Sequence, residues 1–435
     1  MKRFALQRLK EWKEKPNRKP LIIRGARQVG KTWLMKEFGK TSFEKVAYVN
    51  FDSNTRMQQV FDGEINIERI VLAISAETGI SVNPENTLLI FDEVQEVPKA
   101  LSSLKYFCEN APEYAVVAAG SLLGVALHKG TSFPVGKVDF MDLYPLTFQE
   151  FLCALGEERF VEILRGKDTD MVTMFKSKYI DRLREYYFVG GMPEVVQTYV
   201  DTKDFNQVRE IQKNLLNYYQ QDFSKHAEIS LVPRLNLVWN SIPMQLAKEN
   251  KKYIYGQVRK GARAKDFELA IQWLLDCGLI HKVHRIEKPA LPLKAYMNLD
   301  IFKIYLLDVG LLMAMTGLNA QVIIDGNRIF TEFKGALTEQ YILQQLIAGE
   351  NVEPYYYSAE NSKGEIDFLI QGKTSIIPLE VKAEENLKAK SLKAFCDKYN
   401  PKYAIRTSMS DYREQDWMTN IPLYNIDRIG EYLKL

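Results

Sequence analysis

A lysine and a threonine, Lys31 and Thr32, close the stretch GARQVGKT at residues 25–32, which reads G-x-x-x-x-G-K-T. Glycines at this spacing let a chain fold back on itself, so that successive backbone N–H groups surround an anion at close range. Gly25, Ala26, Arg27, Gln28, Val29, Gly30 and Lys31 are the expected phosphate cradle, with Lys31 reaching the β- and γ-phosphates and Thr32 holding Mg2+. A second chemical signal is the acid pair Asp92 and Glu93, which ends the apolar run TLLIF at residues 87–91. Asp92 is expected to hold Mg2+ through water and Glu93 to orient and deprotonate an attacking water, since phosphoryl transfer depends mostly on positioning and charge stabilisation. ATP and Mg2+ are therefore the expected cofactors. Ser121 ends a further apolar run at residues 115–121, where it reads either as a sensor of the γ-phosphate or as the cap of the next helix.

Near the other end, Asp367 lies in GEIDFLI and Glu380 and Lys382 in IIPLEVK. In a hairpin, Asp367 and Glu380 are expected to converge on one divalent cation, Mg2+ or Mn2+. Lys382 falls two residues after Glu380 and hence on the same strand face, where an ammonium can position water or stabilise a pentavalent phosphate. Glu339, near the start of a preceding amphipathic helix, is the fourth candidate. An ordinary charged sheet edge is the alternative. Between the two acid sets, residues 248–265 carry seven Lys or Arg against one Glu. Lys260, Arg263 and Lys265 are candidate phosphate contacts, which position a protein on nucleic acid without specifying sequence.

Elements must hold these residues. The run LII at residues 21–23 is a buried strand before the glycine loop, and residues 33–39 have helical spacing after it, so the phosphates meet a helix N-terminus. Strands are expected at 46–52, 87–93, 115–121 and 138–143, delivering acids to the C-terminal edge of a parallel sheet. Residues 151–199 read as helices ending at Gly190-Gly191-Met192-Pro193, a small lid from which Arg182 or Arg184 could reach nucleotide or form surface ion pairs. Leu269, Trp273 and Leu274 mark an amphipathic helix, and residues 278–286 then alternate like a strand; helix followed by a Gly-Leu-Ile strand is the cadence of a winged helix, which docks on DNA or on protein.

Length and composition bound the rest. A chain of 435 residues implies about three domains, and an apolar content of 46% fills their cores. A net charge of +3 confines any nucleic-acid surface to a local patch. Cys108, Cys153, Cys277 and Cys396 are scattered without metal-ligand spacing and are expected as thiols in a reducing cytosol. His281 and His284 lack two further ligands nearby in sequence. The amphipathic start MKRFALQRLKEW is no secretion signal, and no run reaches the roughly 18 apolar residues of a membrane span, so a cytoplasmic protein without membrane partners is expected.

RGARQVGKT at 24–32, FDEVQ at 91–95, PVGKV at 134–138, LYPLTFQEF at 143–151 and GGMPEVV at 190–196 together resemble prokaryotic AAA+-like ATPases whose C-terminal half is a domain of unknown function. The resemblance covers nearly the whole chain and implies ATP binding and hydrolysis. The family more often has arginine at the position of Lys137, where a neighbouring subunit's phosphates could be reached; a homo-oligomeric ring and a monomeric switch both stay open. The carboxylates resemble the PD-(D/E)xK nuclease core, with Ile366 in place of its proline. The expected fold class is α/β: an AAA+-like parallel-sheet ATPase core (1–150), a helical lid (151–200), a helical and winged-helix middle (201–295) and a C-terminal α/β restriction-endonuclease-like domain (296–435). The expected function is ATP binding and hydrolysis that couples nucleotide state to DNA engagement through the winged helix and the nuclease-like C-terminal domain, with metal-dependent cleavage left open; the alternative is a regulatory or scaffolding switch whose nuclease-like domain is inactive. Nothing in the linear pattern separates DNA from RNA as the partner.

Overall fold

The computed structural model describes residues 1–52, 54–120, 133–248, 251–319, 331–350, 352–359, 364–385 and 389–434. The chain divides into two compact units, one of residues 2–144 with 276–279, the other of residue 1 with 145–275 and 280–435.

In the first unit five strands form a parallel sheet in the order β2-β3-β4-β1-β5: β1 (Leu21–Arg24), β2 (Lys45–Asn50), β3 (Thr87–Asp92), β4 (Ala115–Ala119) and β5 (Asp139–Asp142). Every residue of β3 and β4 is buried, which is why their sequences are unbroken apolar runs rather than alternating ones. Phe51, Phe61, Phe91 and Phe107 meet edge to face in the core above this sheet, between the crossover helices Thr55–Asp62 and Pro98–Asn110. This rigid sheet holds the C-terminal ends of β1 and β3 at fixed places, and the two phosphate-directed motifs begin there.

The second unit joins helices to an eight-stranded mixed sheet of order β12-β13-β11-β10-β9-β8-β6-β7. Its members are β6 (Ile280–Ile286), β7 (Met297–Leu306), β8 (Tyr355–Ser358), β9 (Glu365–Gln371), β10 (Ile376–Val381), β11 (Ile405–Ser408), β12 (Arg413–Glu414) and β13 (Thr419–Pro422). Residues 151–200 are helical as expected, but they group with this unit. Phe148 and Tyr186 pack edge-on against Tyr341 of the Thr331–Glu350 helix, and Gln345 of that helix accepts the Phe148 N–H at 2.8 Å. The GGMP segment is tied in the same way. Asp308 accepts from the Gly191 N–H at 2.6 Å and caps the Val309–Met315 helix through Leu311 N at 3.0 Å, so closely that a Cβ on Gly190 (φ +75°) would come within 2.1 Å of its carboxylate.

The boundary expected at 295/296 cuts through a hairpin. β6 and β7 pair antiparallel from Ile280–Leu306 to Ile286–Met297, and β6 also pairs parallel with β8, so the strands of the expected winged helix continue the C-terminal sheet. The expected helix before them is present at Ala264–Asp276, with its buried face rotated from the one read in sequence. Phe267, Ala270, Ile271, Trp273 and Leu274 are buried, whereas Leu269 is 70% exposed. Among the described residues no helix is long and apolar enough to cross a membrane.

Candidate nucleotide site and a lysine-filled carboxylate cluster

The loop after β1 has the alternating backbone of an anion cradle: Gly25 has φ +146°, Gln28 +65° and Gly30 +92°, the last capping the Lys31–Ser42 helix. Gly25 is required by space as well as by angle, since a Cβ there would lie 2.2 Å from the Leu143 carbonyl oxygen. Lys31 is buried and its ammonium donates across the loop to the Gly25 and Ala26 carbonyls at 2.9 and 2.8 Å. Two of its three N–H donors serve the loop. Burial pulls its pKa down to about 8, against the opposing pull of Glu93 and Asp92.

β3 brings the acids to the same end of the sheet. Thr32 Oγ1 donates to Asp92 Oδ2 at 2.7 Å, so the hydroxyl and carboxylate expected to share Mg2+ already touch. One hydroxyl and one buried carboxylate beside a lysine form a hard-oxygen donor set that fits Mg2+. Glu93 stands just past the strand with φ +51°, its N–H donating to Asp92 Oδ1 at 3.1 Å and its carboxylate accepting from Gln95 Nε2 at 2.6 Å.

Two further residues act on this site without having been expected. Tyr48 of β2 donates to Asp92 Oδ2 at 2.9 Å. Arg3 is buried, with Nη1 donating to the Val29 carbonyl at 3.0 Å and Nη2 to the Tyr144 carbonyl at 2.6 Å, so it braces the loop from behind. The strand alternation of β2, which puts Tyr48 on the face of Asn50, opposite Asp92, is the one sequence signal that could have found Tyr48. Ser121 lies outside the described residues. Lys137 is ion-paired to Glu109 at 2.9 Å. Arg182 binds Glu157 and Glu185, and Arg184 binds Asp181, so both take the ion-pairing role left open by the sequence.

At the C-terminal sheet the expected carboxylates separate. β9 and β10 form the expected hairpin, with Leu379 opposite Phe368. Between the pairs Tyr355–Leu369 and Tyr357–Ile366, however, β9 uses one residue more than β8, and Asp367 lies within that irregularity. Phe368 packs against Tyr305, whose hydroxyl donates to Glu339 at 3.1 Å, and Asp367 feels Glu339 strongly; Glu380, next to Leu379, alternates to the other face and is felt by Cys396 and Arg406. Lys382 does pair with Glu380, at 2.9 Å.

Lysines fill the place given to a cation. Lys251 contacts Glu339, and Lys303, with no exposed surface, contacts Glu365 and stands 4.0 Å from Glu339. Asp367 Oδ2 accepts the Val381 N–H at 2.7 Å. Burial opposes the charge of Glu339, but Lys251 and Lys303 outweigh burial and hold it below the ordinary glutamate range; burial and then Glu339 push Asp367 up to about 7. Among the described residues no group of three or more His, Cys, Asp or Glu is placed to hold a metal. His281 is half-buried and desolvation pulls its pKa down to about 4, and His284 Nδ1 lies 3.1 Å from the Asn298 carbonyl oxygen.

Arg259, Lys260, Arg263 and Lys265 are all exposed, as are Glu268, Leu269 and Gln272 along the same side of the Ala264–Asp276 helix. The four cysteines are free thiols, two of them buried.

Residues 17–152 match the family model described as AAA domain. Residues 180–322 and 334–426 match two models described as domains of unknown function, DUF8612 and DUF4143. No curated protein matches the chain. Among solved structures, the chain is similar to the Walker-type ATPase PABY2304 of Pyrococcus abyssi, with 14% identity over 72% of this chain and 95% of that one and a TM-score of 0.45. It is also similar to the Aeropyrum pernix ORC1 protein in complex with DNA, with 11% identity over 72% and 91% of the two chains and a TM-score of 0.27. Cdc6p from Pyrobaculum aerophilum gives 12% identity over 74% and 93% and a TM-score of 0.24. The AAA match coincides with the parallel sheet and its glycine loop, so this part of the chain is a P-loop domain of the ATPase type.

Proposed function

We propose that the chain is an ATP-hydrolysing switch whose nucleotide state controls its grip on DNA, and that its C-terminal sheet does not cut. The contact of Thr32 with Asp92, beside a buried Lys31 held across its own loop, carries this reading. The backbone N–H groups of residues 25–31 bind the phosphates, Lys31 neutralises charge on the transferred group, and Thr32 and Asp92 hold Mg2+. When bound, that ion supplies further charge neutralisation at the phosphates. Glu93, fixed by Gln95, orients a water for attack and accepts its proton.

The exposed basic run before the Ala264–Asp276 helix, followed by exposed Gln272 and Leu269, favours nucleic acid as the partner. The non-cutting reading is favoured over nuclease activity by Lys251 and Lys303, whose ammoniums already neutralise Glu339 and Glu365. ATP turnover by the wild type should fall at least a hundredfold in Lys31→Ala and in Glu93→Gln, about 3 kcal/mol of transition-state stabilisation; equal rates in all three proteins would remove the proposal. With Mn2+ present, supercoiled DNA should be retained in gel shifts and recovered uncut, and the same assay with RNA distinguishes the two sugars. Cleavage lost in Asp367→Ala and Glu380→Ala would reverse the non-cutting part.

A further inference from the structure

The second unit contains a cavity of about 570 Å3 against the Lys390–Tyr399 helix, remote in sequence from the glycine loop. Its walls are chemically divided. Tyr357, Phe395 and Tyr399 form an aromatic cluster on one side, with ring centroids 4.8–5.7 Å apart and the two tyrosine hydroxyls 2.8 Å from each other. Arg285 and Lys398 supply positive charge, Glu287 a carboxylate, and Ser358 and Ser391 hydroxyls. Ser391 and Ala394 keep the facing side of the helix small, which leaves the space open.

Arg285 is the unusual member. Its side chain is 13% exposed and its Nε is enclosed with no hydrogen-bond partner. Its ion contact is with Glu287, 59% exposed and 3.9 Å from Nη2, too distant for a hydrogen bond. A guanidinium is a planar donor suited to two phosphate oxygens. Simple structural use of Arg285 would have left it paired in the sheet. The cavity volume lies in the range of small-molecule sites, and aromatic rings beside cationic side chains, with the Lys398 ammonium 5.0 Å from the centre of the Tyr399 ring, suit a planar base joined to a phosphate.

We infer that this cavity binds a nucleoside monophosphate, with the phosphate on Arg285 and Lys398 and the base against the aromatic cluster. The site lies outside the residues used for ATP and gives the chain a second nucleotide input. The same chemistry reaches it either as a free nucleotide or as the 5′-phosphorylated end of a strand.

The test uses the full chain and thymidine 5′-monophosphate as probe, followed by calorimetry and by chemical-shift changes of labelled tyrosine. Saturable binding is expected in the wild type and in Lys31→Ala, weakened at least tenfold in Arg285→Gln and several-fold in Lys398→Ala, a change of an exposed side chain that leaves the core in place. Matching unfolding temperatures separate lost binding from lost folding. Binding that survives both cavity substitutions, that disappears in Lys31→Ala, or that is equalled by inorganic phosphate would overturn the inference, as would no saturable binding at all. Competition by a 5′-phosphorylated oligonucleotide but not by its unphosphorylated form assigns a strand end; competition by neither, with the mononucleotide still bound, assigns the free nucleotide.

Discussion

Lys31 holds a charge inside the protein at a cost, and that cost makes a measurable prediction. Burial lowers its pKa to about 8 in the free protein, whereas a polyphosphate beside it favours the ammonium. Nucleotide binding above about pH 8 should therefore take up a proton, and affinity should fall by up to about tenfold per pH unit there while staying level below. Calorimetry at alkaline pH in two buffers of different ionisation enthalpy reads this uptake directly; identical heats would show that Lys31 is already charged. At this scale the sequence was generous, because Lys31 and Thr32 belong to eight contiguous residues whose spacing is itself the mechanism. It was silent on Arg3 and on Tyr48, whose partners, Tyr144 and Asp92, lie 141 and 44 positions away and are met only after the sheet has formed.

A single extra residue in β9 decides the chemistry of the C-terminal sheet. The hairpin of β9 and β10 was legible from its two apolar runs, and so was the shared face of Glu380 and Lys382. The irregularity opposite β8 was not, because it depends on which strand pairs with β9 on its other edge. The Ala264–Asp276 helix repeats the lesson: its existence was legible, while the choice between Leu269 and Phe267 as the inward residue rested on packing that no short window contains. The carboxylates left together now depend on Lys303, which is fully buried between Glu339 and Glu365. Lys303→Met should destabilise the fold by about 3–5 kcal/mol, since it strands buried negative charge. Denaturant titration measures the loss, and a loss within error of zero would mean that water already solvates the pair.

Asp308, which is buried, and Asp367 and Asp427, which are partly buried, make stability depend on pH. Asp308 is raised to about 6, and Asp367 and Asp427 to about 7, burial being the largest cause in each. Asp427 faces Glu350 and Glu150, which raise it further, and Arg165, which lowers it. The unfolded chain releases these protons near pH 4 while the folded chain keeps them, so stability from these groups should decline as pH rises from about 4 to 7 and then level off. Melting temperatures across that range should show the decline, and Asp427→Asn should flatten it; a rise through the same window would mean that opposing groups dominate. Domain count was also only partly legible. The ATPase sheet was marked by its motifs, whereas residues 151–200 and 201–295 carry no signal of which sheet they join, because that choice is made by Tyr186, Tyr341 and Asp308 in three dimensions.

The ladder between β6 and β7 also governs how the chain tolerates being divided. Among the described residues β7 lies at the margin of its sheet, with β6 as its strand neighbour. A fragment starting at residue 296 would keep β7 but uncover the ladder edge that β6 occupies, a template on which other copies could assemble. Severing the chain between 144 and 145, where no strand is split, avoids that hazard.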